Sequence, residues 1–162
     1  KAEFDFRLDG RRSAAVSGTL FTIGFTRSTA EAFFARLEGA EIRVVADVRL
    51  KQRSQLAGFA KQPDLAFFLW RLSGIDCVDV PQLAPEPADF DAYRRRELSF
   101  DAYAAAYLRG LREHAVADGL EPAAFDRACL LCSEAGAERC HRRLAAEHLA
   151  AAWPGPWRVV HL

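Results

Sequence analysis

The sequence predicts one α/β domain, with a mostly parallel sheet of about five strands and helices on both faces. Short apolar runs rich in β-branched residues alternate along the chain with stretches of helical period. Capping residues, glycine or proline bound the helical stretches. The 162 residues suffice to bury one substantial core, and no repeat, low-complexity tract or linker divides them.

Taken in order, Phe4, Phe6 and Leu8 alternate before Asp9-Gly10, which fits a small hairpin or appended strand. Residues 1–19 are therefore expected to be an N-terminal extension or hairpin, and residues 20–162 the α/β domain. "LFTIGF" (20–25) reads as a buried strand. In "STAEAFFARLEG" (28–39), Ser28 and Glu31 form a capping box, Phe33, Phe34 and Leu37 share a face, and Gly39 follows the helix. "IRVVADVRL" (42–50) is the second strand. In "PDLAFFLWRLSG" (63–74), Pro63 suits a first turn, Leu65, Phe68, Leu69 and Leu72 form an apolar stripe, and Gly74 ends the helix.

"IDCVDV" (75–80) is the third strand. A long excursion from Pro81 to Pro122 contains a helix opening near Ser99, with Phe100, Tyr103, Tyr107, Leu108 and Leu111 inward. "RACLLC" (127–132) is the fourth strand, Cys140 to Trp153 a helix, and "WRVVHL" (157–162) the closing strand. Strands that alternate with helices pair in parallel.

Formal charge is zero, so no global field recruits nucleic acid or anionic membrane, although "YRRREL" and "CHRRLA" concentrate arginine locally. No apolar run approaches the roughly eighteen residues of a membrane span. A charged amino end without a visible secretory signal, together with four cysteines, points to reduced thiols in the cytoplasm. Oligomeric state leaves no mark on the sequence.

In an open parallel sheet, ligands bind beyond the carboxyl ends of the strands. That rule gathers Thr26, Asp47, Arg49, Arg53, Cys132, Glu134, Cys140, His141 and Arg142 around one cleft. Asp47 and Arg49 share a face, as do Cys132 and Glu134. The Asp47–Arg49 pair also reads as an ordinary strand-end ion pair, and Glu134 as a loop cap. Cys129 points opposite to Cys132 and, like Cys77, reads as a buried small hydrophobe. His148 reads as a half-buried helix histidine, and His114 as structural.

Four chemistries compete for the cysteine-rich segment. Cys129-Leu-Leu-Cys132 matches C-x-x-C, but cysteines three apart on a strand face opposite ways, which disfavours structural zinc. Cys132, Glu134, Cys140 and His141 are the easier metal set. A thioredoxin-type pair needs its motif at a helix amino end, not inside a strand, while Cys132 and Cys140 stand close enough in sequence to form a disulfide. For a thiol catalyst, Cys140 at a helix amino end is expected to have a depressed pKa, and Cys132 at a strand end is the other candidate. A thiol-phosphatase loop needs arginine six residues after its cysteine, where this chain has Glu138, with Arg139 one place late. For a phosphate or nucleotide site, Arg49, Arg53 and Arg142 suit phosphate oxygens, without a Walker loop or dinucleotide fingerprint.

The segments "FTIGFT", "VVADVR", "GIDCVDVPQL", "LLCSEAGAERCHRRLAAEHL" and the final "VVHL" resemble, in that order, the domain-of-unknown-function 488 family. The resemblance spans about residues 20–162. It implies the α/β fold and a motif set of Thr22, Gly24, Asp47, Arg49, Arg53, Ser54, Cys132, Glu134, Cys140, His141, Arg142 and His161. The chain reads "QLAPEP" where the family often has "ELGG", and the resemblance names no reaction.

The resulting expectation is an enzyme acting on an anionic substrate, phosphate-bearing or nucleic-acid-related. Asp47, Cys132, Glu134, Cys140 and His141 are the catalytic candidates, and Thr22, Gly24, Thr26, Arg49, Arg53 and Arg142 the substrate-binding ones. The alternative is a non-catalytic anion- or nucleic-acid-binding module braced by the Cys-Glu-Cys-His-Arg cluster.

Overall fold

A computed structural model describes residues 17–53 and 57–162 of the chain. The N-terminal hairpin reading and Ser54 lie outside the described residues. Five parallel strands form one sheet: β1 (Gly18–Gly24), β2 (Val44–Asp47), β3 (Asp76–Asp79), β4 (Ala128–Cys132) and β5 (Trp157–His161). Their spatial order is β3-β2-β4-β1-β5. The helices are α1 (Ala30–Gly39), α2 (Asp64–Phe68), α3 (Pro87–Arg94), α4 (Phe100–Glu113), α5 (Pro122–Phe125) and α6 (His141–Ala152). Among the described residues, no helix is long and apolar enough to cross a membrane.

Side-chain alternation splits the core into two layers. Ile23, Val45, Cys129 and Leu131 face Phe33 and Leu37 of α1 and Leu65 of α2. Leu20, Val44, Ala46 and Leu130 face Tyr107 and Leu111 of α4 and Leu144 and Leu149 of α6. Each such Leu or Phe, fully buried, contributes about 1.5–3 kcal/mol. Both faces of the sheet are covered, as parallel pairing demands.

The strand order creates a divergence point. β1 and β4 are neighbours, yet the chain leaves β1 through α1 toward β2 on one side and leaves β4 through α6 toward β5 on the other. Loops that part company at adjacent strand ends open a crevice between them. The loop from Ser133 to Cys140 lies at that crevice.

Several local expectations change. Helix α1 is capped by Thr29, whose hydroxyl accepts from the Ala32 amide at 3.1 Å. Ser28, one position early, instead accepts from the Arg36 guanidinium at 3.1 Å. The 63–74 stretch is α only to Phe68 and then widens into a π turn over Leu69–Ser73. That wider turn breaks the 3.6-residue stripe, so Leu65 and Leu69 are buried while Leu72 is exposed. Gly74 does end the segment, in the left-handed region at φ 65°. Cys77, on the edge strand β3, is half-buried rather than core. The excursion holds α3 and α5 as well as α4, whose cap is Ser99, accepting from Ala102 N–H at 3.2 Å. β1 begins at Gly18, two residues before the expected boundary.

Candidate functional site

A cavity of about 680 Å³ opens at the carboxyl edge of the sheet, beside the end of β4. Cys132, Cys140 and His141 line its base, Phe90, Tyr93 and Tyr103 line an aromatic wall, and Lys51, Arg53, Arg94 and Arg139 bring positive charge to it. Two acids temper that charge, since Asp91 approaches Lys51 to 3.5 Å and Glu134 approaches Arg94 to 4.0 Å.

Cys132 is the last residue of β4, on the α4/α6 face, and is almost wholly buried. Its thiol is held below the usual range. The main cause is a hydrogen bond from the Cys140 thiol; the Glu134 and Ser133 amides and the Arg142 charge act in the same direction, against burial. Cys140 moves the other way. As donor to Cys132 it must keep its proton, and burial adds to the upward shift. The depression expected at Cys140 is found instead at Cys132, with Cys140 shifted the other way by its bond to Cys132 and by burial.

His141 Nε2 lies 3.0 Å from the Val48 carbonyl oxygen. A carbonyl only accepts, so Nε2 carries the proton and donates. Nδ1 is left facing Cys132 Sγ at 3.8 Å. The edge of the Tyr107 ring contact, 5.7 Å between centroids, fixes the imidazole from the side. A buried thiol, a histidine nitrogen and a third group orienting that histidine form the pattern of an activated nucleophile.

Arg142 is fully buried, and both of its terminal nitrogens bond the chain itself, while Nε has no hydrogen-bond partner among the described residues. Nη1 donates to the Glu134 carbonyl at 2.6 Å and Nη2 to the Ala135 carbonyl at 3.2 Å. Gly24 lies directly beneath, where a Cβ would come within 1.7 Å of the same Glu134 oxygen. Thr26 donates its amide to the Ser133 carbonyl at 3.1 Å, and its hydroxyl donates to the same oxygen. These residues hold the 133–135 backbone in place from below. Position 134 thus acts on Cys132 through its backbone amide, while its carboxylate is exposed.

Asp47 and Arg49 form a buried bidentate pair, with Nε to Oδ1 at 2.8 Å and Nη2 to Oδ2 at 2.6 Å. Arg49 Nη1 donates to the Ala60 carbonyl at 2.7 Å, and its guanidinium lies 5.4 Å from the Phe25 ring centre. Gln62 adds a bond to Asp47 at 3.2 Å. Thr22 is buried and shares a 2.8 Å hydrogen bond with His161 Nδ1 across β1 and β5.

Of the residues expected around one cleft, Arg49, Arg53, Cys132, Glu134, Cys140 and His141 line the cavity. Thr22, Gly24, Thr26, Asp47 and Arg142 do not. Cys129 is fully buried on the opposite face, with its thiol pushed up by burial. His148 is half-buried, and His114 is exposed at the end of α4. Sequence reasoning missed Lys51, Arg94 and Arg139 as cavity cations, and it treated Tyr103 as core only. Helical spacing signals that Tyr103 is inward, but not that it lines a cavity.

The sulfurs of Cys132 and Cys140 and a ring nitrogen of His141 lie within 4.8 Å of one another, close enough to hold a metal ion. Glu134 is outside this group. Its carboxylate turns to the rim and Arg94 because its backbone is pinned under Arg142.

No curated protein and no solved structure matches the chain. Residues 29–149, most of the chain and all of the cavity's cysteine-histidine cluster, match the family described as "Domain of unknown function DUF488", and the chain belongs to that family.

Proposed function

We propose that the protein is an enzyme that uses Cys132 as a nucleophile on an anionic substrate, phosphate-bearing or nucleic-acid-related, held in the cavity at the sheet edge. One observation carries this reading: His141 Nδ1 faces Cys132 Sγ at 3.8 Å, with the Cys140 sulfur within 4.8 Å of both, and the Cys140 thiol and the Glu134 and Ser133 amides act as donors that lower the Cys132 pKa. Those donors stabilise a thiolate, and His141 Nδ1 is placed to take the Cys132 proton as the sulfur attacks. Lys51, Arg53, Arg94 and Arg139 supply the attraction for the anion. A thiol with this role requires a reducing compartment, for which we propose the cytoplasm.

The test is protection. Inorganic phosphate should slow iodoacetamide alkylation of Cys132, and an Arg53→Ala/Arg139→Ala variant should lose that protection. Phosphate without effect on the alkylation rate contradicts an anionic substrate at this site.

A second reading rests on the 4.8 Å cluster. Cys132, Cys140 and His141 would give a metal two thiolates and one imidazole. Stoichiometric zinc or iron in protein purified without chelator supports it, and metal-free protein with intact thiols opposes it. The non-catalytic module, in which the cluster only braces a binding surface, draws support from Arg142 and Gly24, which serve loop geometry. It predicts anion binding that survives Cys132→Ala unchanged and a Cys132 inert to alkylation.

A further inference from the structure

Tyr103 lies midway along the first half of α4 and is 2% exposed. Its ring is sandwiched. It stacks on Tyr93 at 4.8 Å and 14° and lies near-parallel to Tyr107 at 6.4 Å and 18°. Tyr107 uses its own hydroxyl in an ordinary way, donating to the Leu83 carbonyl at 2.7 Å. The Tyr103 hydroxyl has no hydrogen-bond partner among the described residues and is shielded from solvent. Tyr103 lines the cavity that contains Cys132 and Cys140 as well as a smaller pocket beside α4, and both sulfurs push its ionisation up.

A phenylalanine would fill this space and stack equally well, without a stranded polar group. Burying a hydroxyl unpaired costs stability. Burial, reinforced by the two sulfurs, raises its ionisation far above the usual phenol range, so the group stays a donor. A rigid, protonated donor beside a nucleophilic sulfur has the arrangement that a binding site presents to a negatively charged oxygen.

We propose that Tyr103 donates a hydrogen bond to an anionic oxygen of the substrate next to Cys132, so that the cavity takes a compound whose charged oxygen sits at the thiol and not only at the basic rim. This rests on the reading of Cys132 as the nucleophile. The substrate class is thereby narrowed to an oxyanion or carboxylate carried close to the electrophilic atom.

Iodoacetate and iodoacetamide test it as paired probes. In both, the sulfur displaces iodide from carbon, forming an S–C bond as the C–I bond breaks, and only iodoacetate carries the anionic oxygens. Cys132 should react with iodoacetate faster, relative to iodoacetamide, than a free cysteine does. In Tyr103→Phe that preference should fall about tenfold, the factor carried by one hydrogen bond to a charged group. A preference unchanged by the substitution overturns the proposal. The variant should melt at or above the wild-type temperature, because it loses only an unpaired group; a lower melting temperature reveals a structural partner and also overturns it.

If neither reagent reaches Cys132, the nucleophile reading fails by itself, and inorganic phosphate binding followed by phosphorus NMR decides about Tyr103. A Kd about tenfold weaker in Tyr103→Phe upholds the hydroxyl as an anion donor. An equal Kd, or no binding to the wild type, removes it.

Discussion

His141 Nδ1 faces Cys132 Sγ at 3.8 Å because the other ring nitrogen is already bound to the Val48 carbonyl. The two residues come from opposite ends of the Ser133–Cys140 loop, one closing β4 and the other opening α6. The loop geometry, the Cys132 thiol and the tautomer of His141 are therefore one problem, and the surrounding residues can be judged by how they serve it.

Arg142 serves the loop. Replacing it with alanine removes charged donors from the Glu134 and Ala135 carbonyls, at about 1.5–3 kcal/mol for each hydrogen bond to a charged group. Urea denaturation should show a loss of that order, and the Ser133–Glu134 amides should exchange hydrogen faster. A variant as stable as wild type, with only anion binding impaired, would place Arg142 in the cavity after all.

Gly24 is required for space. With a Cβ 1.7 Å from the Glu134 oxygen and 3.0 Å from Arg142 Nη1, Gly24→Ala must displace backbone rather than a flexible side chain. Overpacking of this kind costs about 1–3 kcal/mol or more. A depressed melting temperature together with slower Cys132 alkylation is the expected result, since the loop moves away from the sulfur.

The Asp47–Arg49 pair supports the strand end beneath the cavity. Asp47→Ala leaves a buried guanidinium without its counter-charge, and breaking such pairs costs about 3–5 kcal/mol. An Asp47→Ala/Arg49→Met double variant should recover much of that loss in a denaturation cycle. Additive losses would contradict a coupled pair.

Alkaline stability follows from the thiols whose ionisation burial raises. Burial raises Cys77 from 9.0 to about 11, and it raises Cys129 as well. Between these values the unfolded chain has lost protons that the folded chain keeps, so the folded state binds more protons. Stability is then fully present below pH 9.0 and declines as pH rises toward about 11. Denaturation at pH 8 and pH 10.5 measures the fall, and Cys129→Ala/Cys77→Ser should reduce it, the raised Cys140 leaving a remainder of the slope.

Much of this arrangement is legible in the chain because it depends on period. Strand alternation alone separates Cys129, in the α1/α2 layer, from Cys132, and strand-end logic brings Cys132 and His141 to one edge. What period does not reveal is the identity of a partner. Arg142 bonds backbone carbonyls, which every residue possesses, so no spacing distinguishes it from an anion ligand. Thr29 and Ser28 are both competent caps, and one residue of backbone geometry decides between them. The π turn at Leu69–Ser73 shifts Leu72 outward without any glycine or proline inside it to announce the change.

The central claim is that Cys132 is a thiolate nucleophile tuned by Cys140 and His141, and its pH–rate profile of alkylation by iodoacetamide, followed peptide by peptide, tests this most directly. Cys132 should react at pH values where Cys77, Cys129 and Cys140 stay inert, with an inflection below the ordinary thiol range. Cys140→Ala should move that inflection upward, because it removes the largest stabilising donor. A Cys132 that reacts no faster than the buried cysteines across this range, or an inflection unmoved by Cys140→Ala, would contradict the account.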